Sequence, residues 1–220
     1  MSAMTVGVFG ATGLTGSKVV GHALEQGHTV RALARSPLKL GIERSNLTVI
    51  PGDFENVAAL QETVHGTTHV ICCGGGPYGK GYDQGMMTRF VQRLWPMLDA
   101  ESSLRSFLFQ SVIFATGLDG SSPLLLRATA SLAARVNGST DMLADNNAVT
   151  AFMAANQADS FDFVVTRPGR IADQPARSTL VASRTPSFAS ITFSDLGAFN
   201  LAAVQNESLH GTAPFVAPEK

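Results

Sequence analysis

The sequence predicts an α/β fold: a Rossmann-type doubly wound parallel sheet with a small C-terminal substrate-side extension. Three observations predict it. Short apolar runs alternate with helical periodicity along most of the 220 residues, as in successive β-α-β units. The first run, Thr5–Phe9, leads straight into Gly10-Ala11-Thr12-Gly13-Leu14-Thr15-Gly16, a glycine turn between strand and helix. The next apolar run closes on Arg35 rather than on an acid. Together these mark the opening of a nucleotide-binding unit.

The elements follow in order. Strand one covers Thr5–Phe9, a helix runs from Gly13 to Gln26, and strand two covers Thr29–Ala34. Strand three is Leu47–Ile50, ending at Pro51-Gly52-Asp53-Phe54, and a helix covers Val57–Val64. Strand four, His69–Cys73, ends in Gly74-Gly75-Gly76. A long helix covers Gln84–Ala100 and strand five Ser106–Val112. The Ala-rich stretch Leu124–Ala155 reads as helical, broken at Asn137-Gly138. Strand six, Phe161–Thr166, is stopped by Pro168-Gly169. Thr179–Ser183 and Ser190–Thr192 read as short strands, Ser194 or Asp195 caps a helix reaching Gln205, and Phe215-Val216 is a last strand. The tail after Gly169 is too short for an independent core. Residues 1–220 therefore read as one domain, with substrate-side elements mainly in 113–155 and 170–220.

The glycine turn has a direct chemical reading. Gly10 lets the chain turn off the strand, Gly13 lets backbone N–H groups approach a pyrophosphate, and Gly16 lets the helix pack close to the sheet. The phosphates then lie at the positive end of the helix dipole. At the end of strand two, NAD-binding folds carry an acid for the ribose 2′-hydroxyl. Here that place holds Arg35-Ser36, and no acid lies between Glu25 and Glu43. A guanidinium can pair with a 2′-phosphate and stack on adenine, which favours NADP(H).

Composition narrows the function. Hydrophobic residues make up 45%, charged residues 15%, and the net charge is −1. No basic stripe is available for a phosphodiester backbone, so nucleic acid is not an expected partner. No apolar run spans a bilayer and no signal peptide is legible, so a cytoplasmic location and no membrane partner are expected. Adjacent Cys72 and Cys73 offer no disulfide framework, and His22, His28, His65, His69 and His210 show no metal-ligand spacing. A monomer or a homodimer is compatible with this surface.

Several common chemistries are excluded. A Tyr-x-x-x-Lys pair uses lysine to lower the tyrosine pKa. The only tyrosines are Tyr78 and Tyr82, and neither precedes a lysine by four. No G-x-S-x-G elbow or Walker lysine is present. A cofactor fold without an obvious proton donor points to an acceptor with its own protonation site, such as a flavin or a conjugated pyrrole. Ser111, at the end of strand five, is the candidate catalytic residue, either bonding the carboxamide or substrate or satisfying backbone. Asp53 accepts from the adenine amino group or caps a turn. Gly74-Gly75-Gly76 admits ribose and pyrophosphate or forms a flexible turn, Cys73 beside it is a cofactor-binding candidate or a small core residue, and Arg170 faces the cofactor mouth, a carboxylate substrate or solvent.

Val8 through Gly16, Arg35, Gly52-Asp53 and Arg167-Pro168-Gly169 resemble the NmrA-like, atypical short-chain dehydrogenases. Ser111, Ile171-Ala172-Asp173-Gln174-Pro175 and Ser194-Asp195-Leu196-Gly197 bring the likeness nearer to the NADPH-dependent flavin and biliverdin reductases of that group. The resemblance implies NADP(H) held by Thr12, Gly13, Leu14, Thr15 and Gly16 at the pyrophosphate. It implies Arg35 at the 2′-phosphate, Asp53 near adenine and Ser111 by the nicotinamide, with Ser36, Phe54, Pro168 and Gly169 as further cofactor-binding candidates. It further implies direct hydride transfer to a flavin-like, tetrapyrrole or quinone substrate. The chain departs from the family in lacking histidine between Asp119 and Ala155, where Asn146-Asn147 stand instead. It also lacks the lysine that many relatives keep in that helix. Two alternatives remain open at this stage: a non-catalytic NADP(H)-sensing regulator, and a hydride-independent isomerase or lyase on the same fold.

Overall fold

The computed structural model describes residues 3–75, 82–124, 126, 129 and 139–219. Its centre is an eight-stranded sheet in the order β3-β2-β1-β4-β5-β6-β10-β8. The strands are β1 (Thr5–Phe9), β2 (Thr29–Ala34), β3 (Leu47–Pro51), β4 (His69–Cys72), β5 (Ser106–Gln110), β6 (Asp162–Pro168), β8 (Leu180–Ser183) and β10 (Phe215–Pro218). All neighbours pair in parallel except β8, which runs antiparallel to β10. β7 (Ile171–Ala172) and β9 (Ile191–Thr192) form a separate parallel pair.

Buried strands explain the apolar runs. Every residue of β4 is buried, as expected of a central parallel strand covered on both faces. One face packs against α1 (Leu14–Glu25) and α5 (Phe193–Ala203), through a core that includes Val8, Val19, Leu108, Val164 and Leu196. The other packs against α2 (Val57–Val64), α3 (Met86–Ala100) and α4 (Thr140–Ala155). Trp95 of α3 anchors that side, its ring meeting Phe107, Phe152, Phe161 and Phe163 edge-on at 5.0–6.4 Å, an arrangement aromatic quadrupoles favour.

Several boundaries differ from the sequence reading for local reasons. α3 begins at Met86 because Gly85 takes a left-handed φ of 82°. β5 stops at Gln110, yet the Ser111 N–H still donates to the Thr166 carbonyl at 2.8 Å. β6 runs through Thr166 to Pro168 and stops before Gly169. The cap of α5 is Thr192, not Ser194 or Asp195: its hydroxyl accepts from the Asp195 N–H at 3.1 Å. The tail does more than build the substrate side, because β10 and β8 extend the sheet beyond β6 and α5 packs on α1. Gly76, the Asn137-Gly138 break and most of the stretch before Ser139 lie outside the described residues.

Candidate functional site

Parallel pairing carries the ends of β1, β2, β3, β4, β5 and β6 to one edge of the sheet. The order reverses between β1 and β4, and in such sheets the crevice at the reversal is where ligands bind. There the chain leaving β4 stays against β1, with the Cys73 N–H donating to the Phe9 carbonyl at 3.0 Å.

Glycine is required at two points of this crevice. Gly10 has φ 78°, and a Cβ there would lie 2.7 Å from the Gly74 nitrogen. A Cβ at Gly16 would overlap the Gly10 carbonyl oxygen. The turn is closed by the Gly13 N–H donating to that same oxygen at 2.9 Å. Helix α1 then starts at Leu14, with Gly13 as its N-cap, no side chain capping it and no acid in its first turn. By contrast, Asn56 caps α2 and Thr192 caps α5. A helix N-terminus left bare, beside a cradle that only glycine permits, fits a bound pyrophosphate. Thr12, Gly13 and Leu14 are exposed around it, Leu14 at 60%, while Thr15 and Gly16 are buried beneath.

The other predicted residues distribute along the same edge. Arg35 and Ser36 follow β2 and are exposed. Asp53 takes the turn-capping role, its Oδ1 accepting from the N–H groups of Glu55 and Asn56 at 3.0 and 3.1 Å. Phe54 stacks on Phe90 at 4.2 Å and lies so close to Gly74 that any Cβ there would strike its ring. The loop after β3 and the loop after β4 thus share a wall. Burial pushes the Cys72 thiol up to about 12 and the Cys73 thiol higher still, so neither supplies a thiolate near neutral pH. Pro168 is buried, Gly169 half-buried and Arg170 exposed. The Arg170 carbonyl accepts from the Ile191 N–H at 3.0 Å, tying the end of β6 to the start of β9.

Ser111 is 2% exposed, and its hydroxyl donates to Asn146 Oδ1 at 2.8 Å. That bond brings α4 into the site. Three consecutive α4 residues dock it. Asp145 accepts from Tyr82, from the N–H groups of Met87 and Thr88, and from the Thr88 hydroxyl. Asn147 accepts from the Thr116 N–H at 2.9 Å. Tyr82 is therefore a structural donor, and burial together with Asp145 raises its pKa. Below Ser111, Asn200 of α5 donates to Gln110 at 2.8 Å and accepts from Thr166 at 3.2 Å. Sequence reading missed the Asp145 hub because its partners lie 57–63 residues away. It also missed Phe114 and Phe188, which form a tilted pair with ring centroids 6.3 Å apart. An aromatic residue three positions past Ser111 was the available signal for the first.

A family model described as NAD(P)H-binding matches residues 10–207. The chain belongs to this NAD(P)H-binding family. The matched span starts at the glycine that opens the cradle, directly after β1, and includes the ends of β2, β3, β4, β5 and β6. Among solved structures, a protein from Lactobacillus casei is 20% identical with a TM-score of 0.77, covering 99% of this chain and 100% of that one. A short-chain dehydrogenase/reductase from Veillonella parvula, in complex with NADP, is 16% identical with a TM-score of 0.68, covering 98% and 95%. An anaerobilin reductase from Escherichia coli O157:H7 is 14% identical with a TM-score of 0.67, covering 98% of each chain. At these identities the likeness is one of fold. No curated protein matches the chain. Among the described residues, no helix is long and apolar enough to cross a membrane and no group of side chains could hold a metal ion.

Proposed function

We infer that the chain is an NADPH-dependent reductase of flat conjugated acceptors, such as flavins, quinones or linear tetrapyrroles. The observation that carries this reading is the aromatic pair at the substrate edge. Phe188 is 61% exposed and leans on Phe114, close to where the β5 loop carries Ser111. Ser187, its chain neighbour, lies against Gly169, so the end of β6 is part of the same wall. An exposed phenyl ring next to the end of β6 suits a planar π-system.

The chain's own residues divide the work. The bare N-terminus of α1, with Gly10, Thr12, Gly13, Leu14, Thr15 and Gly16, receives the pyrophosphate. Arg35 and Ser36 take the 2′-phosphate. Asp53 and Phe54 border the adenine, and Cys73, Gly74 and Gly75 offer backbone to the ribose. Ser111, Pro168, Gly169 and Arg170 border the nicotinamide end. When bound, NADPH supplies the hydride. Catalysis then rests on holding donor and acceptor face to face, and the absence of a Tyr-x-x-x-Lys pair leaves protonation to the acceptor and solvent.

The test is NADPH consumption by the purified protein with FMN, a quinone and a linear tetrapyrrole. Turnover is expected with at least one, and Phe188→Ala should raise KM for that acceptor about 2- to 10-fold, from an aromatic contact of about 0.5–1.5 kcal/mol. NADPH binding should be unchanged in that variant. Binding of NADPH without turnover of any acceptor would overturn the reductase reading.

A further inference from the structure

We propose that Asn146 fixes the hydrogen-bond polarity of Ser111, so that Ser111 acts toward ligand only as an acceptor. The inference deepens the reading above and rests on its placement of the nicotinamide end beside Ser111.

The polarity follows from three atoms. Asn146 Nδ2 lies 2.9 Å from the Met142 carbonyl oxygen, one turn earlier in α4. A carbonyl can only accept, so the NH2 side of the amide must face it. The amide oxygen is thereby turned toward Ser111, at 2.8 Å from Oγ. The reverse orientation would set Oδ1 against the Met142 oxygen, two acceptors in contact with no proton between them, and leave Oδ1 without a donor in a buried place. A serine hydroxyl has one proton. Once that proton is given to Asn146, Ser111 has only lone pairs for any other partner.

The surroundings hold this arrangement in place. Asn146 is 6% exposed. Its neighbours Asp145 and Asn147 bind α3 and the β5 loop, so α4 cannot slide without breaking both. Ser111 is fixed through its N–H to Thr166. No ionisable side chain takes part in the bond, so the polarity does not depend on pH.

Two consequences follow. Ser111 is not a proton donor to the reduced acceptor. The group it recognises must carry an N–H, such as the carboxamide NH2 of the nicotinamide, rather than a carbonyl oxygen. Asn146 is then a positioning residue that acts through Ser111.

The experiment is equilibrium binding of three reduced dinucleotides to the intact protein: NADPH, its thionicotinamide analogue and its 3-acetylpyridine analogue. The thio analogue keeps the NH2 and weakens the acceptor. The acetyl analogue keeps the oxygen and loses the NH2. The acetyl analogue is expected to bind about 3- to 10-fold more weakly than NADPH, the scale of one lost hydrogen bond, with the thio analogue close to NADPH. In Ser111→Ala the acetyl penalty should vanish. In Asn146→Leu the freed hydroxyl can donate to the acetyl oxygen, so the penalty should shrink, which loss of packing alone would not produce. A penalty on the thio analogue with none on the acetyl analogue would overturn the proposal. Analogue preferences identical in wild type and Ser111→Ala would instead overturn the placement beside Ser111, while leaving NADPH binding itself intact. The wild-type and Ser111→Ala comparison decides the polarity even if Asn146→Leu does not fold.

Discussion

Replacing Asp145 by asparagine should destabilise the protein almost as much as replacing it by alanine, although the asparagine side chain has nearly the same shape. Asp145 is 2% exposed. Oδ2 accepts from the Tyr82 hydroxyl at 2.7 Å and the Met87 N–H at 2.8 Å. Oδ1 accepts from the Thr88 N–H at 2.9 Å and from the Thr88 hydroxyl. Each oxygen therefore faces one backbone N–H that cannot reverse its role. An amide turns one oxygen into a donor, and whichever way it flips, an NH2 opposes a backbone N–H in the first turn of α3. The hydroxyls of Tyr82 and Thr88 can rotate, but the N–H cannot. One orphaned buried donor, plus the lost charge at a helix N-terminus, comes to about 2–4 kcal/mol. Alanine, which orphans both N–H groups, should cost about 3–5 kcal/mol. The assay is urea unfolding of wild type, Asp145→Asn and Asp145→Ala, with thermal unfolding in parallel. A loss of about 3 kcal/mol should lower Tm by roughly 6–12 °C at this size. An Asp145→Asn variant as stable as wild type would refute the hydrogen-bond assignment, and with it the docking of α4 on α3.

Other perturbations test different layers. Gly16→Ala drives a Cβ into the Gly10 carbonyl, strain of about 1–3 kcal/mol that should appear as about 5- to 150-fold weaker NADPH binding by nicotinamide fluorescence. Trp95→Ala removes the ring that Phe107, Phe152, Phe161 and Phe163 surround, and denaturant unfolding should show a loss of about 3–5 kcal/mol. Burial first, then Arg105, holds His69 down from 6.5 to about 4. The neutral ring is thus favoured in the fold. Stability is complete above pH 6.5 and falls as the pH drops toward 4, because only the unfolded chain takes up that proton. The loss should reach about 3 kcal/mol. Unfolding free energies measured across that range should flatten in His69→Gln, though only partly, since burial lowers His28 in the same sense.

What the sequence disclosed and what it hid divide along the range of the interactions. Strand four was legible because a central parallel strand is largely apolar, here Val70 to Cys72 after His69, and the glycine cradle because Gly16 packs on Gly10 within one local turn, although the contact that forces Gly10 comes from Gly74 across the crevice. Arg35 stood out because its proposed role depends only on position after a strand. Boundaries moved where a single backbone bond decided them, as at Thr192, whose hydroxyl accepts from the Asp195 N–H. Three of the tail's strands were found, but not the two-residue β7, nor that β10 joins β6, since that pairing spans 48 residues. Asn146-Asn147 stood out only as a place where the family carries something else. Their bonds to Ser111 and Thr116 cross 35 and 31 residues and leave no local pattern to read.

The most direct test is a pair of titrations, NADPH and NADH, on wild type and Arg35→Ala, followed by nicotinamide fluorescence. Wild type should bind NADPH about 10- to 150-fold more tightly than NADH, the scale of a charged hydrogen bond to the 2′-phosphate, and Arg35→Ala should bring the two together without weakening NADH. Equal affinity for both dinucleotides in wild type, or binding of neither, would contradict an NADPH site built across the carboxyl ends of these strands.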